Sequence, residues 1–155
     1  MSRLRTGLTL PELMIVIVLI GALLALAMPK LGKVDAQAST LSAAQTIAAQ
    51  LATARAAAIA TGYPSRVTVS GNTVTIATSD SLGTFTPMGK SVSLADYGVT
   101  VTASPASNVE FDPRGFASGI ATMQRFIVDA DTYGVPRDTV CVARIGLVMP
   151  NGCSL

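Results

Sequence analysis

An uninterrupted apolar run near the amino terminus constrains this chain more than any other feature. Residues 13–28 read LMIVIVLIGALLALAM and contain no charged or polar side chain. A helix over residues 8–28 would rise roughly 30 Å, which is the hydrocarbon thickness of a bilayer. The basic leader before the run is short, and the run has no small-x-small cleavage site followed by a polar mature start, unlike a removable secretory signal. The sequence therefore predicts a retained transmembrane helix.

One carboxylate, Glu12, stands at the entrance to this run. A charge near hydrocarbon costs a few kcal/mol unless it is paired or reaches the interface. The residue alone leaves two interpretations open. Glu12 lies at headgroup level in the first helical turn, where the helix dipole favours a negative charge, or it is retained to pair with a positive group elsewhere.

The residues around Glu12 resemble a known processing signal. Residues 7–13 read GLTLPEL, similar to the class III signal G|FTLxE of type IV pilins and type II secretion pseudopilins, with Leu8 in place of the commoner Phe. The resemblance implies cleavage by a prepilin peptidase after Gly7, N-methylation of Leu8, and use of Glu12 in assembly. Glu12 of one subunit would then neutralise the new amino terminus of a neighbour, so that two costly charges become one pair.

The resemblance also implies a location and a set of partners. The positive-inside rule places Arg3 and Arg5 in the cytoplasm and the chain after Met28 in the periplasm, which predicts a single-pass inner-membrane protein that later enters a filament. The implied partners are the lipid bilayer, the prepilin peptidase, an inner-membrane assembly platform and the other pilins of the filament. No cofactor is implied.

Composition disfavours several other classes of function. Lys and Arg number 11 against 9 for Asp and Glu, and removal of Arg3 and Arg5 with the leader leaves 9 of each. The mature chain therefore lacks the bulk positive charge of a nucleic-acid-binding protein. Histidine is absent, so the commonest general base is missing and a four-ligand zinc site of Cys and His cannot be built. We expect neither an enzyme nor a metal protein.

The two cysteines of the chain, Cys141 and Cys153, lie near its carboxyl terminus. In the oxidising compartment expected for this part of the chain, the pair predicts a disulfide. Closing a loop of this size adds roughly 3 kcal/mol of stability in the chain-entropy model.

Beyond Met28 apolar residues recur at steps of three and four, which predicts that the helix continues as an amphipathic one. Gly62-Tyr63-Pro64 is a stop signal, so one helix is predicted over about residues 8–61. By the family resemblance, Gly21 and Pro29 are its helix-loosening pair. The predicted apolar stripe comprises Leu31, Val34, Ala38, Leu41, Gln45, Ala48 and Leu51.

Beyond Pro64 the period changes to two, as in strands. Residues 66–70 and 73–77 alternate around Gly71-Asn72, which predicts a β-hairpin, whereas residues 79–90 are predicted as a loop or irregular edge. Further strands are predicted at residues 91–94, 98–102, 108–111, 124–129 and 139–145, with turns at 104–105, 112–115 and 133–136. The predicted fold class is α+β, a long amino-terminal helix packed on a small antiparallel sheet or sandwich, as in pilins.

The predicted organisation has four parts: a leader (1–7), a transmembrane and filament-core half of the helix (8–29), an amphipathic half (30–61) and a periplasmic β-rich domain (62–155). Three segments resemble GspH/FimT-type minor pilins. Residues 51–59 are similar to the "ARseAi" helix end of that family and residues 109–117 to its "i.F.p.G.a" turn. Residues 139–146 are similar to its closing "GRvr" strand, with Ala143 for the Gly and no second Arg.

The resemblance favours a minor pilin or pseudopilin, a structural subunit of a type IV pilus or a type II secretion pseudopilus, and leaves these two systems open. A second hypothesis is a DNA-binding minor pilin for DNA uptake, with Arg137 and Arg144 as candidate contacts and Arg114 and Arg125 as neighbours. Phosphate binding needs several arginines on one face, so the missing second Arg of the closing strand counts against it.

A third hypothesis is an anchored enzyme or a cation site built from acidic residues of the β domain. Short acidic loops are usually solvated turns, and one carboxylate pair without further oxygen ligands does not define a site. We therefore expect neither catalysis nor metal binding from Asp112, Asp129, Asp131 and Asp138.

Overall fold

A long helix, α1 (Leu10–Thr61), begins the part of the chain that the computed structural model describes, which comprises residues 9–130, 137–150 and 152–153. The side chains of residues 26–31 are outside this description. The helix ends where the stop signal predicts, because Gly62 adopts a left-handed conformation with φ +73° and its N–H donates to the Ala58 carbonyl at 3.1 Å. The predicted start at Leu8 lies outside the described residues.

Within the described ranges, no helix has both the length and the hydropathy that crossing a membrane requires. The transmembrane half of α1 stays a prediction.

The second half of α1 packs on the β domain through a stripe of mostly small side chains. The stripe residues recur at steps of three and four, as on one face of a helix. Because most of them are alanines, the helix backbone approaches the sheets closely. The buried residues are Thr40, Ala43, Ala44, Ile47, Leu51, Ala54 and Ala58.

The predicted apolar stripe of α1 is wrong in phase. Leu51 is buried, but Val34 is 66% and Leu41 42% exposed. The prediction assumes that large apolar residues face the sheets. The backbone of α1 instead approaches the sheets so closely that there is room mainly for alanine. Of the other predicted members, Ala38 and Gln45 are exposed, Ala48 is half-buried, and the side chain of Leu31 is outside the description.

Two antiparallel sheets cover this face of α1, with strands numbered in chain order over the described residues. The first contains β1 (Ser65–Ser70), β2 (Thr73–Ser79), β3 (Phe85–Pro87), β4 (Val92–Ser93), β6 (Asn108–Phe111) and β7 (Ala117–Ser118). Its order is β3-β2-β1-β6-β7, and β4 also pairs with β2. The second contains β5 (Thr100–Ser104), β8 (Met123–Asp129), β9 (Asp138–Ala143) and β10 (Val148–Met149), in the order β10-β9-β8-β5. A short 3₁₀-helix, Ala95–Tyr97, precedes β5.

The predicted hairpin is confirmed, since β1 and β2 pair with Ser70 opposite Thr73 around the Gly71-Asn72 turn. The prediction for residues 108–111 coincides with β6, and the other predicted strands overlap observed ones with shifted ends. Within residues 79–90, predicted as a loop or irregular edge, the short strand β3 forms one edge of the first sheet. The strands β7 and β10 are not among the predicted ones. These short strands carry no alternation of their own and form because a neighbouring strand offers an edge.

Two contacts join the parts of the domain near the end of α1. The Ser65 hydroxyl donates to the Ala54 carbonyl at 2.5 Å, which attaches β1 to the helix. The Ala117 N–H donates to the Arg144 carbonyl at 2.9 Å, which joins β7 of the first sheet to the residue after β9 of the second. The turns that follow β6 and β9 are thereby held next to each other.

Candidate functional site

The first part of α1 exposes apolar side chains around its whole circumference. We call residues 10–25 the N-terminal apolar segment. A helix that is apolar on every face is normally buried in a larger assembly or in a membrane. Its large exposed residues, between 43% and 74% accessible, are Leu10, Leu13, Met14, Ile15, Val16, Ile17, Val18, Leu19, Ile20, Leu23 and Leu24.

Glu12 occupies the first turn of this segment, a position compatible with both interpretations. Its Oε2 accepts the Thr9 N–H at 3.4 Å and the Thr9 hydroxyl at 3.5 Å. Bonds of this length are weak, and the side chain is exposed. The carboxylate therefore interacts with the positive end of the helix dipole, and it forms no ion pair with another described residue. Gly7 and Leu8, the predicted cleavage site, lie outside the described residues.

The helix runs without interruption through Gly21 and Pro29. A Cβ added at Gly21 would have no neighbour within 4 Å, so no contact inside the described chain requires glycine there. The helix-loosening role of the pair stays a prediction.

Two turns meet at the carboxyl-terminal end of α1. In the turn after β6, Asp112 Oδ1 accepts the N–H groups of Arg114 and Phe116, both at 2.9 Å. In the turn after β9, the Gly146 N–H donates to the Ala143 carbonyl at 2.8 Å. Each turn thus holds its own shape through local hydrogen bonds.

Glycines allow these turns to approach the helix. Arg55 Nε donates to the Gly115 carbonyl at 3.0 Å. A Cβ on Gly115, where φ is +83°, would lie 2.9 Å from the Ile59 Cδ1 atom. A Cβ on Gly146, where φ is +76°, would lie 2.9 Å from Arg55 Nε and overlap the Gly115 carbonyl oxygen. The two turns and the helix therefore approach each other so closely that only glycine fits at positions 115 and 146.

Exposed apolar side chains flank these two glycines, and with Ile59 they form what we call the apolar corner. Its members are Ile59, Phe116, Ile145 and Leu147, with exposures of 53%, 48%, 58% and 42%. A groove of about 420 Å³ runs between the helix and the turn after β9, lined by Ala52, Arg55, Ala56, Ile59, Gly146, Leu147 and Val148. A second groove of about 630 Å³ lies beside it and is lined in part by Asp112, Phe116, Arg144 and Ile145.

The arginines of the DNA-binding hypothesis are not brought together. Arg137 precedes β9 and Arg144 follows it, so they stand at opposite ends of a strand that spans roughly 20 Å. Arg137 is also paired, because its Nε donates to Asp129 Oδ2 at 2.5 Å. Arg125 lies on β8 opposite Cys141. Arg114 lies in the turn after β6, and Ala117, which follows that turn, donates its N–H to the Arg144 carbonyl. The two candidates do not form one phosphate-binding face.

The acidic residues of the third hypothesis serve local structure. Asp112 holds its turn, Asp129 pairs with Arg137, and Asp138 Oδ1 accepts the Thr139 N–H at 2.8 Å. Asp131 lies outside the described residues. Across the described ranges, no group of three or more His, Cys, Asp or Glu residues is placed to hold a metal ion.

The predicted disulfide is present between Cys141 in β9 and Cys153, with a Cα–Cα distance of 5.5 Å. Cys141 is fully buried, and the Gly152 N–H donates to the Thr139 carbonyl at 3.0 Å. The bridge therefore fastens the chain end to the middle of the second sheet.

We expect Cys153→Ser to lower the stability of the oxidised protein by roughly 3 kcal/mol, because the unfolded chain regains the freedom of the closed loop. Hydrogen exchange should accelerate in β9 and β10. The reduced wild type is the matched control and should behave like the variant. Two freely alkylated thiols in protein isolated without a reductant would contradict the prediction.

The long helix, covered on its second half by antiparallel sheets, defines a pilin-like fold. Two crystal forms of the type IV minor pilin FimU from Pseudomonas aeruginosa strain PAO1 share it. They match 70% of this chain and 84% and 89% of their own, with TM-scores of 0.59 and 0.57. Both are 16% identical to this chain, so the likeness concerns the fold.

The family described as type II transport protein GspH matches residues 43–146, and the chain belongs to that family. The family resemblance predicted from the sequence is thereby confirmed. The family is pilin-like and structural rather than catalytic, and its members are minor pilins or pseudopilins that associate with other pilins. No curated protein matches the sequence significantly.

Sequence reasoning missed the apolar corner. A signal for it was available: Gly146 stands between the apolar residues Ile145 and Leu147, and Gly115 is followed by Phe116. A turn glycine with large apolar neighbours suggests close packing of the backbone and outward placement of the side chains. That signal is local, however, and does not reveal that both turns meet α1 at one place.

Proposed function

We propose that this chain is a prepilin that becomes a filament subunit. A prepilin peptidase cleaves it after Gly7, Leu8 is N-methylated, and the N-terminal apolar segment holds it in the inner membrane with the β domain in the periplasm. Assembly then pairs Glu12 with the amino terminus of a neighbouring subunit. The single observation that carries the proposal is a helix apolar on all sides with one weakly held carboxylate in its first turn.

The energetics support a helix that exchanges one apolar environment for another. Burying a large apolar side chain is worth about 1.5–3 kcal/mol, so a segment exposed on every face is strongly driven into lipid or against other helices. Both environments keep the apolar side chains away from water, which allows a subunit stored in the bilayer to enter a filament core. The inner-membrane assembly platform and the other pilins are the partners this transfer requires.

The position of Glu12 supports the choice of partner. A carboxylate in hydrocarbon is costly when alone, and a new α-ammonium group is costly for the same reason. Pairing them removes both penalties and selects one axial position of a subunit against its neighbour. The proposed role is the one that type IV pili and type II secretion pseudopili share.

Processing at Gly7 tests the proposal directly. Mass spectrometry of the protein from its native organism should show a mature chain that begins at Leu8 and carries one added methyl group. Gly7→Ala should retain the leader, whereas Gly21→Ala, a glycine change with open space around the new Cβ, should be cleaved normally. An intact, unmodified amino terminus in the wild type would refute the proposal.

A further inference from the structure

The strand β10 has an open edge beside the groove of about 420 Å³ at the end of α1. Among the described strands its one neighbour is β9. The Ala143 N–H donates to the Leu147 carbonyl at 2.9 Å, so these residues form a hydrogen-bonded pair. Because antiparallel pairs alternate, the next pair, Val142 and Val148, is of the non-hydrogen-bonded kind. The N–H and carbonyl of Val148 therefore point away from β9, and no other described backbone group bonds to them.

The groove also contains a positive charge without a counter-ion in the described part of the chain. Arg55 is half-buried and lines the groove, and its Nε donates to the Gly115 carbonyl at 3.0 Å. Its Nη1 and Nη2 atoms have no hydrogen-bonding or ionic partner among the described residues. A guanidinium partly withdrawn from water favours a carboxylate, which it can hold through two parallel hydrogen bonds. The small side chains of Ala52 and Ala56 leave room beside it for an apolar group.

We propose that the open edge of β10 binds an extended segment of a partner protein as an additional antiparallel strand. An apolar residue of that segment exchanges two main-chain hydrogen bonds with Val148, and an acidic residue two positions later pairs with Arg55. Strand addition takes its affinity from main-chain bonds and its specificity from alternate side chains. A lipid or a small carboxylate would fill the groove but would leave the Val148 edge unpaired. The inference does not depend on processing after Gly7.

The register places both side chains of the added segment where the groove requires them. Val148 lies directly opposite Val142, which belongs to the buried cluster that contains the stripe of α1. Directly opposite residues share one face of a sheet, so a residue paired with Val148 also faces α1. The residue two positions later lies opposite Gly146, roughly 7 Å further along. A Cβ on Gly146 would lie 2.9 Å from Arg55 Nε, so an acidic side chain at this point can reach the guanidinium.

The inference is tested by fluorescence anisotropy with the full chain in detergent micelles. The probe is a fluorescein-labelled peptide in which every second residue is threonine, and its other face carries one leucine and, two positions later, one glutamate. We expect a saturable rise in anisotropy as protein is added. The absence of saturable binding up to about 1 mM protein would overturn the inference.

Two modified peptides test main-chain pairing without changing the protein. N-methylation of the leucine removes the N–H that the Val148 carbonyl accepts, and it should weaken binding about tenfold. N-methylation of the next threonine is the matched control, because its N–H points away from β10 and its loss should have little effect. Equal effects of the two methylations would overturn strand addition in favour of a site for any acidic, apolar molecule.

A double-mutant cycle tests the pairing of the peptide carboxylate with Arg55. Replacing the glutamate of the peptide with glutamine should weaken binding to the wild type about fivefold. Arg55→Gln should weaken binding of the glutamate peptide by a similar factor and barely affect the glutamine peptide. Arg125→Gln removes an exposed guanidinium from β8 and should change neither affinity.

The two peptides on the wild-type protein keep this test decisive even if Arg55→Gln does not fold. Equal binding of the glutamate and glutamine peptides to the wild type would overturn the assigned role of Arg55. A loss of the same size with Arg125→Gln would also overturn it, because the effect would then reflect the net charge of the protein and not the groove.

Discussion

Replacing Gly146 with alanine is expected to destabilise the protein by about 2–4 kcal/mol. The new Cβ would overlap the Gly115 carbonyl oxygen and press on Arg55 Nε, and the backbone there has φ +76°. Overpacking costs about 1–3 kcal/mol and a left-handed alanine about 1–2 kcal/mol. Since domains of this size are stable by only about 5–15 kcal/mol, the loss is a large share of the total.

Gly119→Ala is the matched control for this prediction. Gly119 has nearly the same backbone, with φ +77°, but its Cβ would have no neighbour within 4 Å. It should therefore cost only the conformational term, about 1–2 kcal/mol. Chemical denaturation followed by tyrosine fluorescence measures both variants. Equal losses would show that the turns and the helix are not in close contact at Gly146.

The features that the sequence predicted correctly are determined locally. The end of α1 depends on Gly62, which adopts the left-handed conformation that terminates the helix whatever residues follow it. The β1–β2 hairpin depends on Gly71-Asn72 between two alternating runs. The turn at Asp112 likewise depends on one side chain that accepts two nearby N–H groups. In each case the residues that make the structure lie within a few positions of one another.

The features that the sequence did not predict depend on distant pairs. Which face of α1 is buried depends on how closely the sheets approach, so Ala54 and Ala58 face the core while Leu41 remains exposed. The apolar corner depends on Gly115 and Gly146, which no local pattern brings together. The separation of Arg137 from Arg144 follows from the strand between them, and the ion pair of Arg137 from the adjacent strand β8.

Replacing Glu12 with glutamine is expected to reduce incorporation into filaments by roughly a hundredfold, because the amino terminus of a neighbour would be buried without its counter-charge. Glutamine can still accept the Thr9 N–H, so the start of the helix is kept and only the charge is lost. Sheared filaments and membranes are compared by immunoblot after normal leader cleavage has been verified.

Asp35→Asn is the matched control, because it removes an exposed carboxylate from the same helix beyond the N-terminal apolar segment. It should leave incorporation unchanged.

If Glu12→Gln and Asp35→Asn behaved alike, the only role of the Glu12 carboxylate would be to interact with the dipole of its own helix. The neutral amide oxygen of glutamine in the same position replaces that interaction with little loss. A large difference between the two variants instead requires a cationic partner for Glu12 that is not among the described residues of the chain. The new amino terminus of an adjacent subunit is the group that processing after Gly7 would create, so blocking cleavage with Gly7→Ala should remove the difference.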